Sequence, residues 1–462
     1  MAKYFKLLFI LTAVLIFRPI VRAQIITVAK VHFKGLKRTK ESTLNKLIQL
    51  EGKEIAISDT FSVFSQAKID LYNTKLFAQI NHTTKTQGNN VIITFLAIER
   101  WYTYAMPYFD LIDRNFNAWW VTRNHELDRV IIGADITQKN TTGHNDDLSF
   151  SFLLGNQTRL GLEYELPNNF RNGKYGIGFS FQYHAHRNVN YNNANDQLAF
   201  LTANTVLLNR WLGQASLSFH FDFNRELWIN IGFQHENVSS DVTDLNPNYN
   251  GIYGLEQLFF GFSKIGLRLD SRDVRGYAQK GQLLWGEVSG YSFAKQGQLN
   301  FIELNARYTR HIPFFKRGDL AVSSIVKLSP NKSRPYFLNR GIGWGLNSIR
   351  CYDYFVVDGN SFFAQKASFR FRAIDTKLNL KRIKWQPFQI IPFKAAPKIF
   401  FDVAYVNNSQ YLLQGDFFNK PIYSYGVGLD LIVFDDAVWR FEYGLNHQGN
   451  AAFFLNFTSA IQ

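Results

Sequence analysis

The sequence predicts a transmembrane antiparallel β-barrel of sixteen strands, preceded by one small α+β domain. Three observations lead there. The chain opens on a secretory-signal pattern. Aromatic residues make up 16% of it, with 44 Phe and 22 Tyr, and many fall at alternate positions. Beyond the opening, no apolar run is long enough to cross a bilayer as a helix, whereas alternation of lipid-facing and lumen-facing residues is how a barrel crosses.

Residues 1–23 read as the signal peptide: Lys3 and Lys6, an apolar run from Leu7 to Phe17, then Val21-Arg22-Ala23 as a small-residue cleavage site. Arg18 and Pro19 interrupt any anchoring helix. The single cysteine, Cys351, excludes an intramolecular disulfide framework. The formal charge of +15 includes four positive charges in the signal segment; in an exported chain, anionic lipid headgroups are a nearer partner than nucleic acid.

Residues 24–100 have a different texture. ITVAKVHFKG reads as a strand and turn, and ESTLNKLI places Leu44, Leu47 and Ile48 on one helical face. A second helix begins near Asp59 as N-cap and carries Phe64, Ala67 and Leu71. FAQINHTTK and VIITFLAIER close the unit as strands around a QGNN turn, giving the order β-α-α-β-β. FKGLKRT (33–39), LYNTKLFAQI (71–80) and VIITFLAIER (91–100) together resemble the landmarks of a POTRA domain, the periplasmic module of the BamA/TamA family of outer-membrane barrels. Leu36 stands where that family has Asn, and Lys75 where it has Gly. Such a module offers a sheet edge to which an extended client can add as a strand, or serves as a rigid spacer below the barrel.

From residue 101 to 462 the chain reads as barrel strands. RLGLEYEL sets Leu160, Leu162, Tyr164 and Leu166 against Arg159, Glu163 and Glu165; WRFEYGL sets Trp439, Phe441, Tyr443 and Leu445 against Arg440 and Glu442. The segment 199–211 reads as either a strand or part of an elaborated loop. Bacterial single-chain barrels take even numbers, which fixes sixteen. The last five strands fall near 362–373, 398–407, 423–434, 438–446 and 451–460. With the C-terminus in the periplasm, parity puts the long connection 331–361 on the outer side and the connection holding SRDVRGYAQKG (271–281) on the periplasmic side.

Parity therefore separates two similar motifs. Asp270, Arg272, Asp273 and Gly281 resemble the D-S-R-D…G periplasmic turn of the BamA/TamA barrels, so the V-R-G-Y within it is a coincidence of letters. Ile349-Arg350-Cys351-Tyr352 resembles the family's V-R-G-Y/F, which in that family sits on an outer loop that folds into the lumen. The resemblance implies that Arg350 meets an acid on the barrel wall, in the motif resembling F-x-D-x-G that here reads Phe400, Asp402 and Ala404. Alternation points Asp402 inward, and a guanidinium can grip a carboxylate bidentately. Cys351 stands where the family has glycine, and Ser368 and Arg370 where it often supplies a second acid. Pro107, in the first strand, cannot donate to a ladder and marks an edge; the resemblance implies a seam there, used as a lateral gate.

No G-x-S-x-G, phosphate loop or H-E-x-x-H occurs. His184 and His186 lack an assigned third ligand, and no metal, cofactor or catalytic site is expected. The resemblance implies a protein that inserts or translocates other proteins at the outer membrane, its N-terminal domain in the periplasm. Its partners would be membrane lipids, unfolded barrel or secreted clients, and periplasmic or lipoprotein accessory proteins. One POTRA-like unit suggests a specialised or accessory member. The alternative is an outer-membrane pore or secretion channel plugged by its long outer loop.

Overall fold

A computed structural model describes residues 24–459, apart from 114, 171–174, 223, 297–298, 330–333, 346, 380–389, 409–414 and 434–436. The signal-peptide segment lies outside these residues. The chain divides into two units, one reaching to Tyr102 and including Thr142–Asn145, the other holding the rest.

In the first unit, alternating apolar residues build β1 (Ile25–Lys34), and the helical face of ESTLNKLI builds α1 (Glu41–Ile48). There follow β2 (Glu54–Ala56), α2 (Thr60–Asn73), β3 (Phe77–Gln87) and β4 (Asn90–Glu99). The sheet order is β2-β1-β4-β3, with β1 and β4 parallel and β3 at an edge. Val28, Leu44, Phe64, Leu71, Phe77, Ile93 and Phe95 form its buried core. Two details differ from the sequence reading. The strand β2 was not expected, because three residues are too short to show a period. Asp59 holds the N-cap position of α2 without capping it; its carboxylate accepts the Ser58 hydroxyl instead.

The three sequence landmarks of this unit meet in space. Glu99, at the end of β4, accepts the backbone N–H groups of Lys37 (3.1 Å), Arg38 (3.1 Å) and Thr39 (2.8 Å). The carboxylate at the end of the last strand thus holds the turn that follows the first. Lys75, just after α2, adopts the left-handed region at φ 62°.

The second unit is one antiparallel sheet. It starts with β5 (Thr103–Leu111), β6 (Val130–Gln138), β7 (Asp147–Leu154), β8 (Gln157–Phe170) and β9 (Tyr175–His186). A separate hairpin, β10 (Asn188–Ala194) and β11 (Gln197–Thr202), interrupts it before β12 (Leu208–Asp222), β13 (Arg225–Val238), helix α3 (Ser240–Leu245) and β14 (Gln257–Asp270). Next come β15 (Gly281–Phe293), β16 (Phe301–Phe315), β17 (Gly318–Leu328), β18 (Ser361–Phe371) and β19 (Ile374–Asn379). The last are β20 (Ile390–Asn407), β21 (Pro421–Val433), β22 (Ala437–Asn446) and β23 (Ala451–Ser459).

Strands β18 and β19 both pair with β20 and count as one interrupted strand, so the sheet has sixteen. The ambiguous segment 199–211 is split: its first residues end the β10–β11 hairpin and its last begin β12. Along the strands Ile399, Phe401 and Tyr405 are exposed while Asp402 between them is buried. The same holds for Trp439 and Tyr443 around Glu442. One face is therefore apolar and open, the other polar and covered.

Up-and-down order puts successive connections at opposite ends of the sheet. The connection 329–360, between β17 and β18, leaves at one end; the turn 271–280, between β14 and β15, leaves at the other.

Candidate functional site

The long connection lies on the polar face and is pinned by Arg350. Its guanidinium grips both oxygens of Asp402: Nε donates to Oδ2 at 2.8 Å and Nη2 donates to Oδ1. The Arg350 backbone N–H adds a third bond, at 3.2 Å, to Oδ2. Nη1 donates to the Ser368 hydroxyl (2.6 Å) and Nη2 to the Ala367 carbonyl (2.9 Å). Arg350 also lies 4.2 Å above the Phe400 ring. The side chain of Asp402 is fully buried and that of Arg350 is 11% exposed. Two oppositely charged groups so covered hold each other far more firmly than a surface pair.

Its neighbours in the loop seal the site. Ile349 and Tyr352 are buried with Phe417, Ile422 and Ala404, and Tyr352 Oη donates to the Tyr423 carbonyl at 3.0 Å. Cys351 takes φ 65°, a torsion that glycine adopts most readily. Its thiol packs with Phe400 and Phe454, over Gly444. A Cβ on Gly444 would lie 2.6 Å from the Cys351 sulfur and 2.7 Å from the Tyr425 carbonyl oxygen. The missing side chain at Gly444 makes room for the extra one at Cys351.

Where the sequence raised the lack of a second acid near Ser368 and Arg370, the structure brings Glu442 of β22 to 4.0 Å from Arg350 Nη1. Glu442 also lies 2.7 Å from Lys398 Nζ, which is 2.6 Å from Asp430 Oδ1. Lys398, Phe400 and Asp402 alternate along β20 and project together. Sequence reading had put Glu442 on the inward face but left it and Lys398 without a role. A period of two says which face a residue takes, not which strand's neighbour it meets.

The turn 271–280 closes on its own acids. Asp270 accepts Nε and Nη2 of Arg272, both at 2.8 Å. Asp273 Oδ1 accepts the N–H groups of Val274, Gln279 and Lys280. Gly281 is at φ 100° with its Cβ position 2.2 Å from the Ser271 carbonyl oxygen, so no other residue fits. Arg275, the arginine of this V-R-G-Y, lies 3.5 Å from Asp270 and is 51% exposed, unlike Arg350. Tyr277 in the same turn is buried against the sheet.

At the sheet's two ends of sequence, Pro107 lies within β5 opposite Ala134 of β6. Asn117, beyond β5, meets β23: its Oδ1 accepts the Leu455 N–H (3.1 Å) and its Nδ2 donates to the Leu455 carbonyl (3.2 Å) and to Asp353 Oδ1 (3.2 Å). Two cavities, of 770 and 820 Å3, flank the long connection and share Arg272, Arg307 and Arg440 in their walls. His184 and His186 stand with rings 5.9 Å apart, and among the described residues no group of three or more His, Cys, Asp or Glu side chains is arranged to hold a metal ion.

A sixteen-stranded antiparallel sheet with a polar covered face and an arginine-pinned loop defines an outer-membrane barrel class. The sequence pattern of the OMP85 superfamily matches residues 126–384, and the chain belongs to that superfamily, a family of outer-membrane proteins. Among solved structures, BamA from Haemophilus ducreyi lacking POTRA domains 1–3 is similar at a TM-score of 0.62 and 16% identity, over 94% of this chain and 84% of that one. CdiB from Acinetobacter baumannii gives 0.53 and 12%, over 94% and 73%, and CdiB from Escherichia coli gives 0.53 and 10%, over 96% and 92%. No curated protein sequence matches the chain.

Proposed function

We propose that this chain is an outer-membrane barrel, closed between β23 and β5, that inserts or translocates client proteins, with its N-terminal domain in the periplasm as a POTRA-like module. The observation that carries the reading is the Arg350–Asp402 grip, which ties the long connection 329–360 to the polar face of the sheet. A barrel that merely filled the membrane would not need a buried ion pair at the root of one loop. The free edge of β3 supports strand addition by an extended client. Asn117 on Leu455 supports a seam at which the last strand is held in part by a side chain, one able to part and admit a strand into lipid.

Outer-membrane proteomics after depletion, complemented with wild type or Arg350→Ala, tests the reading. Selective loss of a few barrels or surface lipoproteins, rescued by wild type alone, is the expected result. An unchanged proteome overturns it in favour of a second reading, a pore or secretion channel plugged by the loop, which the two charged cavities beside the loop support.

A further inference from the structure

The charges that hold Arg350 continue toward the opposite end of the sheet. Lys398 is shared by Glu442, which neighbours Arg350, and by Asp430. The other oxygen of Asp430 accepts the Tyr277 hydroxyl at 2.9 Å. Tyr277 belongs to the turn 271–280, which leaves the sheet at the end remote from the loop. Its ring, 6% exposed, lies 4.4 Å from the Arg370 guanidinium. Arg370 in turn pairs with Asp319 and donates to the Ala278 carbonyl. The turn is thus folded inward over strands far from its own, and its tyrosine ends in the same charge network as the loop's arginine.

We propose that the turn 271–280 is a second interior anchor and that Tyr277 is a positioning residue for Arg350. The inference rests on the reading that Arg350 pins the loop. Asp430 and Glu442 compete for one ammonium, and the Tyr277 hydroxyl satisfies part of the demand of Asp430. Without that hydroxyl, Asp430 draws Lys398 away from Glu442. Glu442, a covered carboxylate that needs a cation, then draws Arg350 off Asp402. Displacement of the turn from the periplasmic end, by a client or accessory segment, would therefore loosen the outer loop at the far end. By linkage, loosening the loop loosens the turn equally.

Cys351 makes this measurable in the full-length protein, since it is the only cysteine and is 3% exposed beside Arg350. The rate of maleimide labelling at Cys351 reports loop release. Tyr277→Phe, which keeps the ring on Arg370, should label about fivefold faster than wild type or more, the lower end of ordinary couplings between sites. Arg350→Lys should also label faster, and adding Tyr277→Phe to it should change nothing further, because the coupled contact is already lost. The control is Tyr183→Phe, which removes a 2.8 Å bond to Asn209 outside the network and should label as wild type.

If Arg350→Lys labels fast and Tyr277→Phe does not, the coupling is wrong and the loop anchor stands. If Arg350→Lys labels as wild type, the anchor itself is wrong and the coupling falls with it. Equal acceleration by Tyr183→Phe would mean general loosening and would overturn the proposal. Should Tyr277→Phe fail to fold, the reverse measurement decides: Arg350→Lys must speed trypsin cleavage after Arg275 or Lys280, and an unchanged rate overturns the coupling.

Discussion

At the scale of the residue, Arg350 donates hydrogen bonds through its backbone N–H and through all three guanidinium nitrogens. Arg350→Ala leaves Asp402 covered and without its cation, a loss of about 3–5 kcal/mol, so the long loop should become protease-sensitive in folded protein. Arg275→Ala removes a half-exposed partner of Asp270 and should leave the loop protected. A second prediction concerns backbone torsion. Lys75, exposed and at φ 62°, carries a Cβ where glycine is freer, so Lys75→Gly should stabilise the first unit by about 1 kcal/mol, read as slower hydrogen exchange around Thr74–Phe77. A third concerns Glu99. Partial burial raises its pKa, but the Thr39 hydroxyl and the N–H groups of Lys37, Arg38 and Thr39 outweigh that and hold it below the ordinary 4.5. A carboxylate depressed by folding stabilises above its unfolded pKa and ceases to as pH falls through its folded one. The gap in urea midpoint between wild type and Glu99→Gln should thus be full at pH 7 and shrink below about pH 4.5. Alternation alone turned Asp402 to the polar face and parity chose the loop of Arg350, but that the two meet was implied only by the family resemblance. The role of Tyr277 could not be read from the sequence, because it depends on a contact with Asp430, 153 residues away, that no local period encodes. Nor could the accommodation of Cys351, which turns on Gly444 in another strand.

At the scale of the element, strands were legible because each carries its own period of two. The count of sixteen stands because β18 and β19 are one strand with a break; the sequence reading of 362–373 covers β18 and stops where β19 begins. The three residues of β2 were too short to show a period, and the 199–211 segment, left open between strand and loop, proves to be both, a hairpin handing over to a barrel strand. The connection after β5 was likewise unreadable, yet it supplies Asn117. A residue's N–H and C=O in a strand point to the same side, so Leu455 turns both toward Asn117 and away from β22. A side-chain amide there stands in for a neighbouring strand. Asn117→Ala should therefore speed hydrogen exchange at Leu455 while residues of β22 stay protected. Because Asn117 also bonds Asp353, the same variant should quicken labelling of Cys351. Equal protection of Leu455 in both proteins would show that the amide is dispensable to the edge.

At the scale of the whole molecule, the two readings of function differ in what the loop is for. In both, the polar face lines a lumen that the loop fills in part, leaving cavities of 770 and 820 Å3 beside it. The walls of the first carry Arg268, Arg272, Arg275, Arg307, Lys327, Arg340 and Arg440 against the two carboxylates Asp270 and Glu303. Confined charge of one sign raises the local concentration of the other, so a path through this lumen favours anions. Asp402→Asn removes the carboxylate that pins the loop and leaves Arg350 to Glu442. In planar bilayers it should open larger and longer-lived conductances than wild type, with a reversal potential toward the anion side in a salt gradient. Cation preference would mean that the current avoids these cavities, and that the loop's release opens the barrel elsewhere. The same variant in cells then separates the readings. Loss of client barrels alongside the conductance is what an insertion machine requires, because its loop must stay seated to work. Conductance with clients intact is what a plugged channel requires, because there the loop only blocks.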